Sequence, residues 1–414
     1  MDQDATADQA GTRWWERRQE IFATAIGIWL AGFWVIPDGW WHRLWLACIV
    51  FPALVWTWGA WRPVLREERW LWLAGVLMGW QWLSRWWSPG SWTEIESWTG
   101  SLPDVMMVGV VLLSMLLLAR DGAATRRVFG WMVLAAAVAA LVSMLGFYAM
   151  AERSIAEDRL RNVLVYYGIG MNPVLTGLLF AFGALGAGWL TGRTAPGRWR
   201  RVWFGSLVVL TLGMCAAQSR GAFLMFGAGG VMLLVLERRR VLAAAGTVVL
   251  AVAGYFGVLM WATAGIEAAR DLLDRGATGR FEIYGWFLQQ MDGVDRVIGR
   301  GMALPPIVPE EQFGWFIEHP HSAYLTQFYL TGGVGVVLLV ALLGWGGWAA
   351  CQMVRRGESL WLVLLAGGAV GMVFDGGQIL SVCSEGRLEV LLLVIPAAMA
   401  VGRMRSTSLL MESS

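Results

Sequence analysis

The sequence predicts an all-α polytopic integral membrane protein of about twelve transmembrane helices, with one large loop containing short helices. Three observations predict it. Of the 414 residues, 57% are hydrophobic and only 15% charged, with a mean hydropathy of +0.56, well outside the range of soluble domains. Apolar runs long enough to cross about 30 Å of hydrocarbon recur along the whole chain, separated by short charged loops. Many of the 28 tryptophans sit at the ends of those runs, as in GWWHRLW (39–45) and RWWSPGSW (85–92), where an indole ring is half-buried and still reaches water.

In order, the runs fall at about 21–37, 43–61, 70–86, 103–119, 128–150, 172–190, 202–217, 221–236, 241–261, 323–347, 359–374 and 389–402. Arg13, Arg17 and Arg18 precede the first run with no small-residue cleavage pattern after it, so it reads as a span and not as a cleaved leader. With the N-terminus in the cytoplasm, alternate loops carry arginine clusters: 62, 66 and 69; 120, 126 and 127; 193, 198, 200 and 201; 238–240; 355 and 356; 403 and 405. With Arg13, Arg17 and Arg18, these clusters hold 20 of the 32 basic residues, and the chain has no lysine. That is the positive-inside pattern, with both termini cytoplasmic. Cys48 and Cys215 lie within runs, and Cys351 and Cys383 on opposite sides, so no disulfide framework is expected.

The chain reads as a single membrane domain, 1–414, whose polar excursion at 262–320 forms an outward loop subdomain between the ninth and tenth spans. Within it GIEAARDLLDR (265–275) and GRFEIYGWFLQQM (279–291) have helical spacing. The glycine- and proline-rich 293–315, with Glu310 and Glu311, reads as an ordered coil that caps a site. Twelve arginines oppose the topology rule: Arg43, Arg85, Arg153, Arg159, Arg161, Arg220, Arg270, Arg275, Arg280, Arg296, Arg300 and Arg387. They need another reason to be present.

His321 stands at the head of a span, where an imidazole can take a proton from a hydroxyl brought up beside the membrane, or simply cap the helix. His319, beyond Pro320, is its neighbour; a zinc pair is conceivable, but the sequence offers no compact third ligand, and no metal or cofactor is expected. Arg220, in QSRGAFL between two apolar runs, is held at the outer boundary, where an anion is its natural partner and lipid phosphate the plain alternative. Arg159 and Arg161 precede the sixth span and Arg280 opens a loop helix. Converging guanidiniums without an acidic cluster suit a diphosphate held by hydrogen-bonded forks. Asp375, in FDGGQ at an outer helix end, is either structural or orients a basic partner.

These residues resemble a known family. His321-Ser322, then Gly332 and Gly335, match the His-[Asn/Ser/Gln]-x9-Gly-x2-Gly pattern of the O-antigen ligase and polymerase superfamily. SRGAFL (219–224) is similar to its Ser-Arg-Gly helix start, and 279–301 to its arginine, aromatic helix and closing Gly-x-Gly. GIGMNP (168–173) resembles its Gly-Asn-Pro element but has Val174 where many members carry a second asparagine, leaving the choice between Arg159 and Arg161 open.

The resemblance implies a GT-C type glycosyltransferase of the bacterial inner membrane, with its site facing the periplasm. It would pass O-antigen glycan from undecaprenyl diphosphate to lipid A-core, without metal and with inversion. On that reading His321 is the base and Arg220 and Arg280 hold the diphosphate. Arg159 or Arg161, with Ser219, Ser322, His319, Tyr284 and Asp375, would make substrate contacts. A polymerase, with a second lipid-linked repeat unit as acceptor, is the alternative within the family. A transporter of anionic lipid or lipid-linked glycan is the rival of another class, but the spans lack the mid-membrane charges it requires. Nothing in the composition points to nucleic acid.

Overall fold

The computed structural model describes residues 2–36, 39–88, 95–150, 153–154, 158–165, 172–262, 280–302, 317, 319–377 and 388–412. In chain order the helices are α1 (Asp2–Val35), α2 (Gly39–Trp45), α3 (Phe51–Trp56), α4 (Trp58–Glu67), α5 (Arg69–Leu83), α6 (Ile95–Arg120), α7 (Gly122–Met144), α8 (Pro173–Arg193), α9 (Arg198–Ala216), α10 (Arg220–Ala262), α11 (Arg280–Gln289), α12 (Asp295–Ile298), α13 (Ala323–Arg355), α14 (Leu360–Gly371) and α15 (Ile395–Glu412). No β-sheet is present among the described residues, as a membrane environment demands of an open chain.

The expected count of twelve spans is overturned. Among the described residues four helices are long and apolar enough to cross a membrane: Gly122–Met150, Pro173–Arg193, Arg220–Arg238 and Ala323–Arg355. A fifth results if Trp41–Trp56 and Trp58–Glu67, bent by 90° at Thr57, count as one. The GT-C expectation falls with the count. For several runs the reason is continuity, which hydropathy does not report. The run expected at 70–86 is a helix of 15 residues, and that at 359–374 one of 12. The run at 389–402 starts as a π-helical turn, Val390–Val394, and α10 kinks at Glu237, dividing two expected spans. What stands is an all-α protein with several long apolar helices, consistent with a polytopic membrane protein.

Helix α8 is the axis of the bundle, packed against α7, α9, α10 and α14. Asn172 caps it, accepting the Val174 amide at 2.8 Å, and Pro173 takes the first helical position, where its missing N–H costs nothing. Its alanines and glycines let neighbours approach: a Cβ at Gly186 would stand 2.7 Å from the Phe129 ring. Close packing of small residues is what associates helices in lipid, where apolar burial gives no net drive. Several tryptophans are core and not interface. Trp34 and Trp70 are fully buried, and their indole N–H groups donate to the carbonyls of Leu179 at 3.3 Å and Leu342 at 2.9 Å.

Helix α13 is broken at Gly332, whose φ of 66° only glycine adopts without strain. The break strands carbonyls that a buried helix cannot leave unsatisfied. The 299–301 turn fills it, the amides of Arg300 and Gly301 donating to Tyr329 and Leu330 at 2.9 and 2.8 Å. A Cβ at Gly332 would collide with Val297 and Gly299, and one at Gly299 with Leu330. From α5 and the turn after it, Trp80 donates to the Thr331 carbonyl at 3.0 Å and Trp87 to that of Gly299 at 2.9 Å. Above this lock, Ile283, Phe287 and Met291 pack with Ile317, Tyr329 and Leu330 in a second, smaller core. The expected helix at 279–291 is therefore present as α11. The expected helix at 265–275, the coil from 303 to 315 with Glu310 and Glu311, and Arg270, Arg275, Arg387 and Cys383 lie outside the described residues.

Candidate active site

Two helix starts at one end of the bundle are built alike. Among the described residues, Gln218 (φ 48°) and His321 (φ 54°) are the non-glycine residues with positive φ. Each immediately precedes a buried serine that caps a helix. Ser219 Oγ accepts the Ala222 amide at 3.3 Å at the head of α10, and Ser322 Oγ accepts the Leu325 amide at 3.5 Å at the head of α13. The left-handed turn costs about 1–2 kcal/mol and recurs where a surrounding structure over-determines it, often at functional sites. His321 is itself the left-handed residue before its cap, whereas at α10 that place is Gln218's and Arg220 follows the cap.

Around His321 the turn is tightly specified. Its amide donates to His319 Nδ1 at 3.1 Å, and the two rings lie 4.4 Å apart, so His319 braces the turn. Its Nδ1 lies 3.6 Å from Asp375 Oδ1, an ion-pair separation slightly longer than a hydrogen bond. Asp375 is buried, its Oδ1 accepting the Gly376 amide at 2.8 Å. Gly376, at φ 111°, brings that turn against α13, since a Cβ there would stand 2.9 Å from Ala323 Cβ. Burial pushes the Asp375 carboxyl up, but the His321 contact and charge, the Gly376 amide and His319 outweigh it and hold the carboxyl below its ordinary value. An ionised carboxylate against Nδ1 orients an imidazole and stabilises its protonated form.

Helix α11 closes over this pair. Tyr284 donates to the carbonyls of Val373 at 3.2 Å and His321 at 3.4 Å, clamping both turns. Burial raises the Tyr284 phenol, and the nearby Arg280 charge opposes that shift. The Arg280 guanidinium lies 6.0 Å from the Phe374 ring centroid. Phe374 also meets the head of α10, where a Cβ at Gly221 would stand 3.3 Å from Phe374 Cβ. Phe374 and Asp375 thus form the turn against which Arg280, His321 and the head of α10, which carries Arg220, are set. Arg220 is exposed there.

The two arginines before α8 separate. Arg159 Nε donates to the Ala217 carbonyl at 3.2 Å, and the Leu160 amide to that of Ala216 at 2.9 Å, which sews Arg159 to the turn carrying Gln218, Ser219 and Arg220. Arg161 is exposed beside Asn162, whose buried amide anchors the segment to Trp34 at 3.0 Å. Asp158, just before these two arginines, pairs with Arg153 at 3.4 Å.

Sequence reasoning named Asp375 but missed its grouping with the histidines, and it missed two further participants. His319, His321 and Asp375 form a compact trio of ligand atoms, all within 4.8 Å of one another; Asp375 is the third, brought from 54 positions downstream by the return of α14. Phe374 carried no signal at all. Glu389, buried at the start of the last helical segment, accepts the Gly377 amide and supports the same turn; an acid opening an apolar run was the available hint.

Residues 205–340 match the family described as O-antigen ligase. The match spans Ser219, Arg220, α11, His321 and the Gly332 break, motifs on which the resemblance rests. Arg159, Arg161 and Asp375 fall outside it. No curated protein matches the chain.

Proposed function

We propose that this chain, which carries an O-antigen ligase family domain, transfers glycan from undecaprenyl diphosphate to a hydroxyl of lipid A-core at the periplasmic face of the inner membrane. O-antigen ligase-type, glycosyltransferase-like activity is the coarse reading that the domain supports. The observation that carries the finer one is the His321 and buried Asp375 pair with Arg280 at the Phe374 turn, against which the helix start carrying Arg220 packs.

In this mechanism His321, oriented at Nδ1 by Asp375, takes the acceptor proton at Nε2 as the hydroxyl attacks the anomeric carbon. The bond to the diphosphate oxygen breaks on the opposite face, and the configuration inverts. Arg280 and Arg220 absorb the charge developing on the leaving diphosphate, with Arg159 behind the Arg220 turn as a further contact. The diphosphate is already a good leaving group, so positioning and activation of the nucleophile are the larger tasks.

A second reading rests on the His319, His321 and Asp375 trio, which could hold a divalent ion. Chelation separates the two. Purified protein given lipid-linked glycan and acceptor is expected to retain its rate in EDTA; loss of activity, restored by one divalent metal, would replace His321 as free base with a metal-assisted step. Deleting the gene and examining lipopolysaccharide separates ligase from polymerase. Polymerised but unattached glycan supports the acceptor proposed here, and core bearing a single repeat contradicts it.

A further inference from the structure

The far end of the bundle holds a cavity. Helices α13 and α14 leave the His321–Asp375 site in opposite chain senses and meet at the Arg355–Leu360 turn, at the far end of α14, whose 12 residues span about 18 Å of helix. There a cavity of about 410 Å³ opens between the ends of α7, α8, α14 and α15. Arg126, Arg193, Arg356 and Arg403 line it with one carboxylate, Glu358, and the indole of Trp189. Four separate arginine clusters of the sequence, one per loop, each contribute one guanidinium to it.

The cavity is built, not incidental. Glu358 grips Arg403 through both oxygens, with Nε at 3.0 and 3.1 Å and Nη2 at 2.7 Å. The plane of Arg403 lies directly on Gly122, where a Cβ would stand 2.7 Å from Cζ. Glycine is a poor residue inside a helix start, and here it makes room for a guanidinium. On the facing wall Glu237 and the Gly357 carbonyl hold Arg193, and Glu237 is fixed in turn by the Ser359 hydroxyl at 2.6 Å. Arg193 Nε is buried and makes no hydrogen bond. Two oriented arginines thus face Arg126 and Arg356, both exposed, across a cavity whose lining has more guanidiniums than carboxylates.

We infer that this cavity binds the phosphate of an anionic lipid headgroup at the membrane boundary opposite the candidate active site. Guanidinium forks match phosphate oxygens bidentately. Basic pockets between membrane helices at the arginine-rich side are a common place for such headgroups. The cavity lies at helix ends and is floored by Trp189, Leu360 and Trp361, so a headgroup can enter with its glycerol against indole while its chains remain in the bilayer. The inference is independent of the glycosyltransferase reading.

The test uses the full chain in detergent, stripped of lipid, and native mass spectrometry or fluorescence titration. Three probes are compared: phosphatidylglycerol, phosphatidylethanolamine, and glycerol phosphate as a water-soluble anion. One phosphatidylglycerol per chain is expected to bind more tightly than either of the others. Arg126→Gln with Arg356→Gln should weaken it about tenfold or more, as loss of charged hydrogen bonds implies. Lysine at both positions should weaken it less, and Arg62→Gln with Arg66→Gln, at another arginine cluster, not at all. Both lining residues changed are exposed, so folding should survive. Glycerol phosphate binding as tightly as the lipid would reassign the cavity to a soluble phosphate. Unchanged lipid affinity in the glutamine pair, or an equal loss in the Arg62 and Arg66 control, overturns the assignment.

Discussion

The heads of α10 and α13 share one backbone device and carry opposite chemistry. Each has a left-handed residue followed by a buried serine cap. At α10 the device presents an exposed, permanently charged guanidinium. At α13 it presents a partly buried imidazole with the buried Asp375 carboxylate 3.6 Å from its Nδ1. The lesson is that the helix start supplies position, while the neighbouring turn supplies reactivity. An imidazole without the Asp375 carboxylate would lose its orientation.

The sharpest way to break this comparison is His321→Ala, which is expected to insert and fold while losing roughly 10²–10⁴-fold in transfer rate, the range of a positioned base. Near-normal turnover with purified donor and acceptor would remove the base assignment. Arg220→Ala and Arg280→Ala come next, each lowering the rate with the diphosphate donor by about 10²-fold. Lysine at either position should recover part of it, since charge returns but the fork does not; equal rates and donor affinities for alanine and lysine variants would contradict a diphosphate role.

Asp375→Asn should have a smaller effect on rate, about tenfold, through lost orientation of His321, and it carries a pH signature. Because the folded-state carboxyl lies below its ordinary value, its stabilisation is fully present above the ordinary aspartate range and is lost as pH falls through the folded pKa. The melting temperature of wild type should therefore exceed that of Asp375→Asn near neutral pH, with the gap closing as the solution is acidified. A gap that is independent of pH would mean packing alone. The smallest effects are expected from Ser219→Ala and Ser322→Ala, each costing about 1 kcal/mol of stability. Similar losses would establish the two heads as equivalent supports; a fall in turnover from Ser322→Ala alone, beyond its stability loss, would make that serine a substrate contact.

Much of the site could be read before any fold was known, because its members carry local signals. His321 precedes an apolar run, Arg220 interrupts two, and Arg280 opens a helix with aromatic spacing. The fold was less legible. Apolar windows at 43–61, 70–86 and 359–374 look like spans whether or not the helix continues through them, and the break at Thr57, the end at Leu83 and the 12-residue α14 depend on what packs alongside.

By itself, then, the sequence determined the membrane class, the clustering of arginine in alternate loops and the residues able to move a proton or hold a phosphate, since these follow from composition and short spacing. Only the tertiary structure decided how many helices run unbroken, and which distant groups meet. Asp375 reaches His321 because α13 and α14 return the chain to the same end, and Arg300 and Gly301 enter the Gly332 break because its stranded carbonyls must be satisfied away from water. A carboxylate that must travel through two helices to its imidazole leaves no local trace of the meeting.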